Sequence, residues 1–217
     1  LKRLGPGAAI RIDVYTAMTK DATRLKRIGV LALQGAFVEH MALLRRLDVE
    51  AFPIRLPREL EGLDGLVIPG GESTTIARLM REYDLITPLR RLAKEGFPIM
   101  GTCAGMILLA KQVSAMNVEP LGVMDIEVRR NAFGRQVDSF ETDLEIPAIG
   151  EPPFHGVFIR APFITRAGDG VEVMSRLSDG TGVAARQGNM LALAFHPELT
   201  DDLRLHNYFL SMVVGQR

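Results

Sequence analysis

Residues 97–112 read FPIMGTCAGMILLAKQ, and the fold turns on the change of character inside them. FPIMG (97–101) is short, apolar and without alternation, as a strand buried on both faces is. AGMILLAKQ (104–112) reads as a helix. Between them lies Gly101-Thr102-Cys103-Ala104-Gly105, a G-x-C-x-G spacing that is the thiol counterpart of the G-x-S-x-G nucleophile turn. The glycines suit a strained turn in which neighbouring Cβ atoms would clash. A helix starting behind the thiol favours the thiolate, and the backbone N–H of Ala104 is placed to receive an oxyanion. A lone cysteine is most often a small buried hydrophobe; here the flanking glycines and the strand–helix junction favour a reactive one.

Outward from this turn the chain alternates. IGVLAL (28–33), VEAFPIR (49–55) and LDGLVI (63–68) are further buried-type strands. AFVEHMALLRRL (36–47) has apolar residues at helical spacing, and residues 74–95 are helical, with Pro88 restarting a second helix. This βαβα rhythm predicts an α/β fold, an open and mostly parallel sheet with helices on both faces. From Gly122 to about Leu193 the pattern changes to strand-like segments separated by turns: GVMDIEV, SFETDLEI, GVFIRAPF, VEVMSRL, TGVAARQ and NMLALAF. The second half thus adds antiparallel strands. DDLRLHNYFLSMVV (201–214) is a final helix with Thr200 or Asp201 as N-cap. Residues 1–26 are read as an N-terminal extension outside the fold, with Met18 a possible start, and residues 27–217 as one catalytic domain.

Composition narrows the class. Lys+Arg and Asp+Glu both total 26 in 217 residues, which gives no electrostatic case for nucleic acid or an acidic membrane. No uncharged apolar run reaches the eighteen or so residues of a membrane span. One cysteine and four histidines make a poor metal set and no internal disulfide, so the expectation is a cytoplasmic protein without metal.

A thiol nucleophile needs a base. His40 and His206 fall within predicted helices and read as surface or packing residues, and His155 in a loop is ambiguous. His196 follows the apolar strand LALAF and precedes Pro197 and Glu198. Open α/β sheets place sites beyond the carboxyl ends of strands, where Cys103 also lies. Pro197 restricts His196 to an extended conformation, so Glu198 at i+2 falls on the same side and can orient the imidazole; capping the last helix is its alternative role. In Pro69-Gly70-Gly71-Glu72-Ser73 two glycines before a helix turn N–H groups toward an anion or oxyanion. The loop lacks the spacing and lysine of a phosphate-binding loop.

Taken in order, PGGEST, GTCAG and FHPELT resemble the class I, triad-type glutamine amidotransferases, a flavodoxin-like group. IGVLALQGAFVEH, VIPGGESTT, GTCAGMILLA, RRNAFGRQVDSFE, GVFIRAP and AFHPELTDD resemble, within that class, the glutaminase-subunit family of pyridoxal 5′-phosphate synthase, from about Ile28 to Val213. The resemblance implies hydrolysis of L-glutamine by Cys103, His196 and Glu198, with Gly71 and Ala104 forming the oxyanion hole. It implies Gly71, Glu72, Ser73, Arg130, Ile159 and Arg160 as substrate-binding residues, and neither metal nor organic cofactor. It also implies a partner synthase subunit, a dodecameric (β/α)₈ barrel that receives the ammonia, with Gln34 at the interface. Such glutaminases are weak until docked, and the Gly70–Gly71 peptide is the expected moving part. The rivals are the glutaminase subunit of another amidotransferase, such as that of histidine biosynthesis, and a non-catalytic interaction subunit.

Overall fold

The computed structural model describes residues 24–114, 119–130 and 139–215. The predicted extension up to residue 23 and the whole NAFGRQVD stretch lie outside the described residues. In chain order the first half contains β1 (Arg27–Leu31), α1 (Phe37–Arg45), β2 (Glu50–Ile54), β3 (Gly65–Ile68), α2 (Ser73–Glu82), α3 (Ile86–Lys94), β4 (Ile99–Thr102), α4 (Ala104–Leu109) and β5 (Ala110–Ser114). The second half contains β6 (Met124–Arg129), β7 (Ser139–Leu144), β8 (Phe154–Ile159), β9 (Phe163–Ala167), β10 (Glu172–Arg176), β11 (Gly182–Gln187), β12 (Met190–Leu193) and α5 (Arg204–Val214).

The described residues form a ten-stranded sheet in the order β2-β1-β3-β4-β12-β11-β9-β6-β5, with β10 beside β11. From β2 to β12 every pairing is parallel. The last of these strands arrives from the far end of the chain. Beyond it the β12–β11, β11–β9 and β9–β6 pairings are antiparallel, β5 pairs parallel with β6 at the edge, and β7 and β8 pair separately. This is the expected parallel α/β core with antiparallel additions.

Period-two alternation assigns the faces. Gly65 of β3 shows one of them, because a Cβ there would meet Val213 and Phe209 of α5 at 3.0 and 3.1 Å. Gly101 of β4 shows the other, where a Cβ would lie 2.8 Å from Leu109 of α4. Helices therefore cover both sides, and β1, β3 and β4 are apolar apart from Arg27 and Thr102 because neither face meets water. Phe195, just past β12, packs against Phe154 and Phe158 of β8 at ring-centroid distances of 5.7 and 5.4 Å. Those three rings join the small sheet to the large one.

Four local expectations need correction. The helix after Cys103 ends at Leu109, and AKQVS continues as β5 against β6; an apolar run does not reveal where helix becomes strand. The break before α3 is set by Asp84, in the left-handed region at φ +57°, and Pro88 sits inside the first turn of α3. GVFIRAPF is two strands in different sheets, divided at Arg160, whose φ is +43°. The last helix starts at Arg204 with Leu203 as its N-cap, so neither Thr200 nor Asp201 caps it. Residues 197–199 form a separate 3₁₀ turn, and Asp202 accepts the Arg204 N–H instead.

Phe195 is fully buried. Its replacement by alanine is expected to cost about 3–5 kcal/mol, seen as a lower denaturant midpoint in equilibrium unfolding.

Candidate active site

The register of three parallel strands assembles the site. Ile68 pairs with Gly101, and Thr102 with Leu193, so β3, β4 and β12 end side by side. The next residues of each are the Pro69–Gly71 loop, Cys103, and Ala194-Phe195-His196. The Cys103 N–H donates to the Leu193 carbonyl at 2.8 Å, carrying the pairing one residue past the strand.

Cys103 then turns sharply, with φ 49° and ψ −102°, a backbone region costly for any residue with a Cβ. Its flanking glycines are explained by close approach. A Cβ on Gly105 would stand 2.0 Å from the Ile68 carbonyl oxygen, and one on Gly101 2.6 Å from the Gly105 carbonyl carbon. Cys103 is 7% exposed, and its Sγ lies 3.9 Å from the Ile159 carbonyl oxygen. Since α4 is only six residues long, its dipole is a smaller influence on the thiol than the expected longer helix.

His196 Nδ1 lies 2.6 Å from Glu198 Oε1, and the ring interacts electrostatically with Cys103. Its own N–H donates to the Val157 carbonyl at 2.9 Å, tying the loop to β8. The i, i+2 contact to Glu198 arises differently from the sequence reading: residues 197–199 are a 3₁₀ turn, not an extended stretch, and the turn folds the carboxylate back toward the ring. Burial alone would push the imidazole pKa down. The hydrogen bonds and charges of Cys103 and Glu198 outweigh burial and raise it to about 10 from 6.5. Burial likewise opposes the Glu198 charge, but His40 and His196 hold its pKa well below 4.5. The raised histidine stabilises the fold fully below about 6.5 and loses that contribution as pH passes about 10. The depressed acid contributes above about 4.5 and loses it as pH falls further. The pair is therefore ionic throughout the neutral range.

The glycine loop closes over these groups. A Cβ on Gly70 would lie 2.3 Å from His196 Cε1 and 3.3 Å from Cys103 Cβ. The Gly70 carbonyl accepts the Ala36 N–H at 3.0 Å, and the Gly70 N–H donates to Thr102 Oγ1 at 3.1 Å. Gln34 Oε1 accepts the Glu72 N–H at 2.7 Å and occupies the place a Cβ on Gly71 would need. The Glu72 carboxylate caps α2 by accepting the N–H groups of Thr74 and Thr75. Although burial opposes it, those bonds hold its pKa at about 2.

The structure brings together Cys103, His196 and Glu198, with Gly70, Ala104 and the Ile159 carbonyl around the thiol turn, while a Cβ on Gly71 would face Gln34, Gly35 and Ile76. Arg130 Nη2 lies 3.3 Å from Glu72 Oε1, which joins two of the expected substrate-binding residues. Ser73 is buried at the start of α2, and Arg160 is exposed. His155 lies between Glu141 and Asp143 on β7 and β8, apart from the triad. A surface cleft of about 750 Å³, lined by Thr87, Arg90, Lys111 and Leu121 among others, holds none of the expected site residues.

Sequence reasoning missed the inner layer. His40 and His206 are both 0% exposed, as is Thr102, so of the two readings, surface or packing, both histidines take packing. His40 Nε2 lies 3.1 Å from Thr102 Oγ1 and 3.2 Å from Glu198 Oε2, and His40 Nδ1 lies 2.9 Å from His206 Nε2. The available signal was helical spacing, since His40 stands beside Met41 and four residues before Leu44 on the buried face of α1.

Removing the charge in Glu198→Gln is expected to lower the His196 pKa from about 10 toward 6.5. An NMR titration of the ring Cε1–H measures it.

Comparison with known proteins adds the following. Residues 30–215 match the SNO glutamine amidotransferase family. A pyridoxal 5′-phosphate synthase subunit PdxT from Herpetosiphon aurantiacus is 58% identical over 188 residues, covering 85% of this chain and 99% of that one. Its counterpart from Moorella thermoacetica is 57% identical over 187 residues, covering 86% and 99%. A crystal structure described as a glutamine amidotransferase superposes with a TM-score of 0.82 at 53% identity, covering 86% of this chain and 98% of that one. A chain from the structure of PurLQS of Thermotoga maritima, 17% identical with a TM-score of 0.65, shares the fold.

Proposed function

This chain belongs to the SNO glutamine amidotransferase family, and from that membership we propose how its residues carry out the chemistry. It is a glutaminase, the subunit of pyridoxal 5′-phosphate synthase that converts L-glutamine and water to L-glutamate and ammonia. The observation that supports the assignment of roles is the strained Cys103 turn, with His196 and its paired Glu198 at the end of the adjacent strand.

The Cys103 sulfur attacks the γ-carboxamide carbon of glutamine. The carbonyl oxygen becomes an oxyanion, received by the N–H groups of Gly71 and Ala104. With a pKa of about 10, His196 is an imidazolium at neutral pH and already holds the proton that the leaving nitrogen needs. Ammonia departs, leaving a γ-glutamyl thioester on Cys103. The now neutral His196 takes a proton from water, whose oxygen attacks the thioester carbon; collapse releases glutamate and returns the sulfur as the thiolate beside a protonated His196. Glu198 stabilises the imidazolium through Nδ1 and fixes which nitrogen faces the sulfur.

The substrate is held at its other end. Arg130 and Arg160 offer guanidinium groups to the α-carboxylate, and Glu72 offers its carboxylate to the α-ammonium. Ser73 and the Ile159 backbone complete the wall. In this arrangement glutamine displaces Arg130 from Glu72 and takes one group each. The reaction needs neither metal nor organic cofactor.

Ammonia in water is protonated and diluted, so the product needs a receiver held close. The chain acts with a synthase subunit, which we take to be a dodecameric barrel core in the cytoplasm. Gln34 is the contact through which docking sets the Gly70–Gly71 peptide. Glycine peptides turn at low steric cost, and Gln34 already grips the loop at Glu72.

Glutamate release should fall by at least ~10³ in Cys103→Ala, the scale seen when a nucleophile is deleted. Parent and variant are compared with and without the synthase subunit; equal rates would overturn the assignment. Gly70→Ala should also lose most turnover while remaining folded, because its Cβ would intrude on His196.

A further inference from the structure

We propose that His40 is a positioning residue that holds the triad acid and the glycine loop to one shared geometry, through contacts from its Nε2 to Glu198 and Thr102. The inference deepens the glutaminase reading above and rests on it.

The contacts around His40 point to which of its ring nitrogens carries the hydrogen. Glu198 uses Oε1 for His196, and among the described residues its buried Oε2 has no aligned hydrogen-bond donor. Its near neighbour is His40 Nε2 at 3.2 Å, while the same nitrogen aligns with Thr102 Oγ1 at 3.1 Å. A bare Nε2 would set a lone pair against a carboxylate oxygen where both side chains are fully buried, which is unfavourable. With hydrogen on Nε2, one N–H is shared between the hydroxyl and the carboxylate, with the better angle toward the hydroxyl. His40 Nδ1 is then free to accept from His206 Nε2–H at 2.9 Å. That leaves His206 Nδ1 as a bare acceptor, matching its unpartnered state. His206 thereby sets the His40 tautomer, as an outer hydrogen bond sets that of a metal-ligating histidine.

Two catalytic parts meet at this one nitrogen. Thr102 Oγ1 also accepts the Gly70 N–H at 3.1 Å, so the chain of contacts runs from Glu198 through His40 and Thr102 into the glycine loop. Helix α1, which carries His40, begins directly after Gln34 and Ala36, the residues that hold Glu72 and Gly70 from outside. One segment, residues 34–40, thus grips the loop at its backbone and the acid at its free oxygen. The groups facing Glu198 are His196 on its own turn, His40 on α1 and His206 on α5. His206 is kept uncharged chiefly by burial, with its pKa at about 3, so it adds no competing charge.

The test compares His40→Gln with His40→Asn. A glutamine amide nitrogen reaches the position of Nε2 and can donate to Glu198 and Thr102. The shorter asparagine reaches only toward His206. Cys103 is the chain's single cysteine, so the rate of iodoacetamide labelling at pH 7 reports the thiol that His196 and Glu198 activate. The Asn variant should label about tenfold more slowly than the parent, the scale of losing an outer hydrogen bond, and the Gln variant within about twofold of it. In glutaminase assays with the synthase subunit, kcat should follow the same order while KM stays unchanged. Equal slowing in both variants, or parent rates in both, would overturn the proposal, as would changes that follow thermal stability alone. Histidine ¹⁵N shifts of the parent give a second reading if the Asn variant does not fold: a hydrogen-bearing His40 Nε2 supports the assignment, and a bare one sinks it. Labelling and shifts need no glutamine turnover, so failure of the glutaminase reading is separable from failure of this one.

Discussion

Parallel register is the constraint on which the site depends. Ile68 opposite Gly101 and Thr102 opposite Leu193 bring three strand ends to one edge, and each end delivers one part of the chemistry. A one-residue slip of β12 would turn its side chains to the opposite face and move the Leu193 carbonyl away from the Cys103 N–H. That register is enforced by packing on both faces, since β3, β4 and β12 are almost wholly buried. The core thus fixes the relative height of thiol, imidazole and glycine loop to within a hydrogen bond. Flexible side chains alone could not do so.

Charge is the second constraint. A buried imidazole and a buried carboxylate each oppose ionisation when taken singly. Set 2.6 Å apart, each makes the other's charge tolerable, and the imidazolium in turn faces the sulfur. Such pairs are weak evidence for stability, because removing either partner strands the other. In the proposed reaction the arrangement serves reactivity, with a proton stored beside the group that must release ammonia.

The sequence revealed those parts whose chemistry depends on residue type at fixed spacing. G-x-C-x-G, the paired glycines after LDGLVI and His196-Pro197-Glu198 each carry a local reason, and the βαβα rhythm located all three at strand ends. What it concealed depends on three-dimensional neighbours. The role of Thr102 needs β4 beside α1, and that of His206 needs the last helix laid against the same face. The 3₁₀ turn at Pro197 was hidden because proline suits either an extended stretch or the first turn of a helix. The end of α4 at Leu109 was invisible in a run of apolar residues that serve both states equally. Thus the three strand-end segments were legible, while the buried layer behind them was not.

The glycines around Cys103 answer to different demands. Gly105 lies against the Ile68 carbonyl, so it must stay small for the strands and helix to pack at all. Gly70 yields its space to His196 and Cys103, which matter to catalysis more than to folding. The two positions are therefore exposed to different selection. In a lineage that kept this fold after abandoning turnover, Gly105 would persist while Gly70 drifted to larger residues. The side chain at that one loop position would then separate working copies from retired ones, even where the cysteine itself had survived by chance.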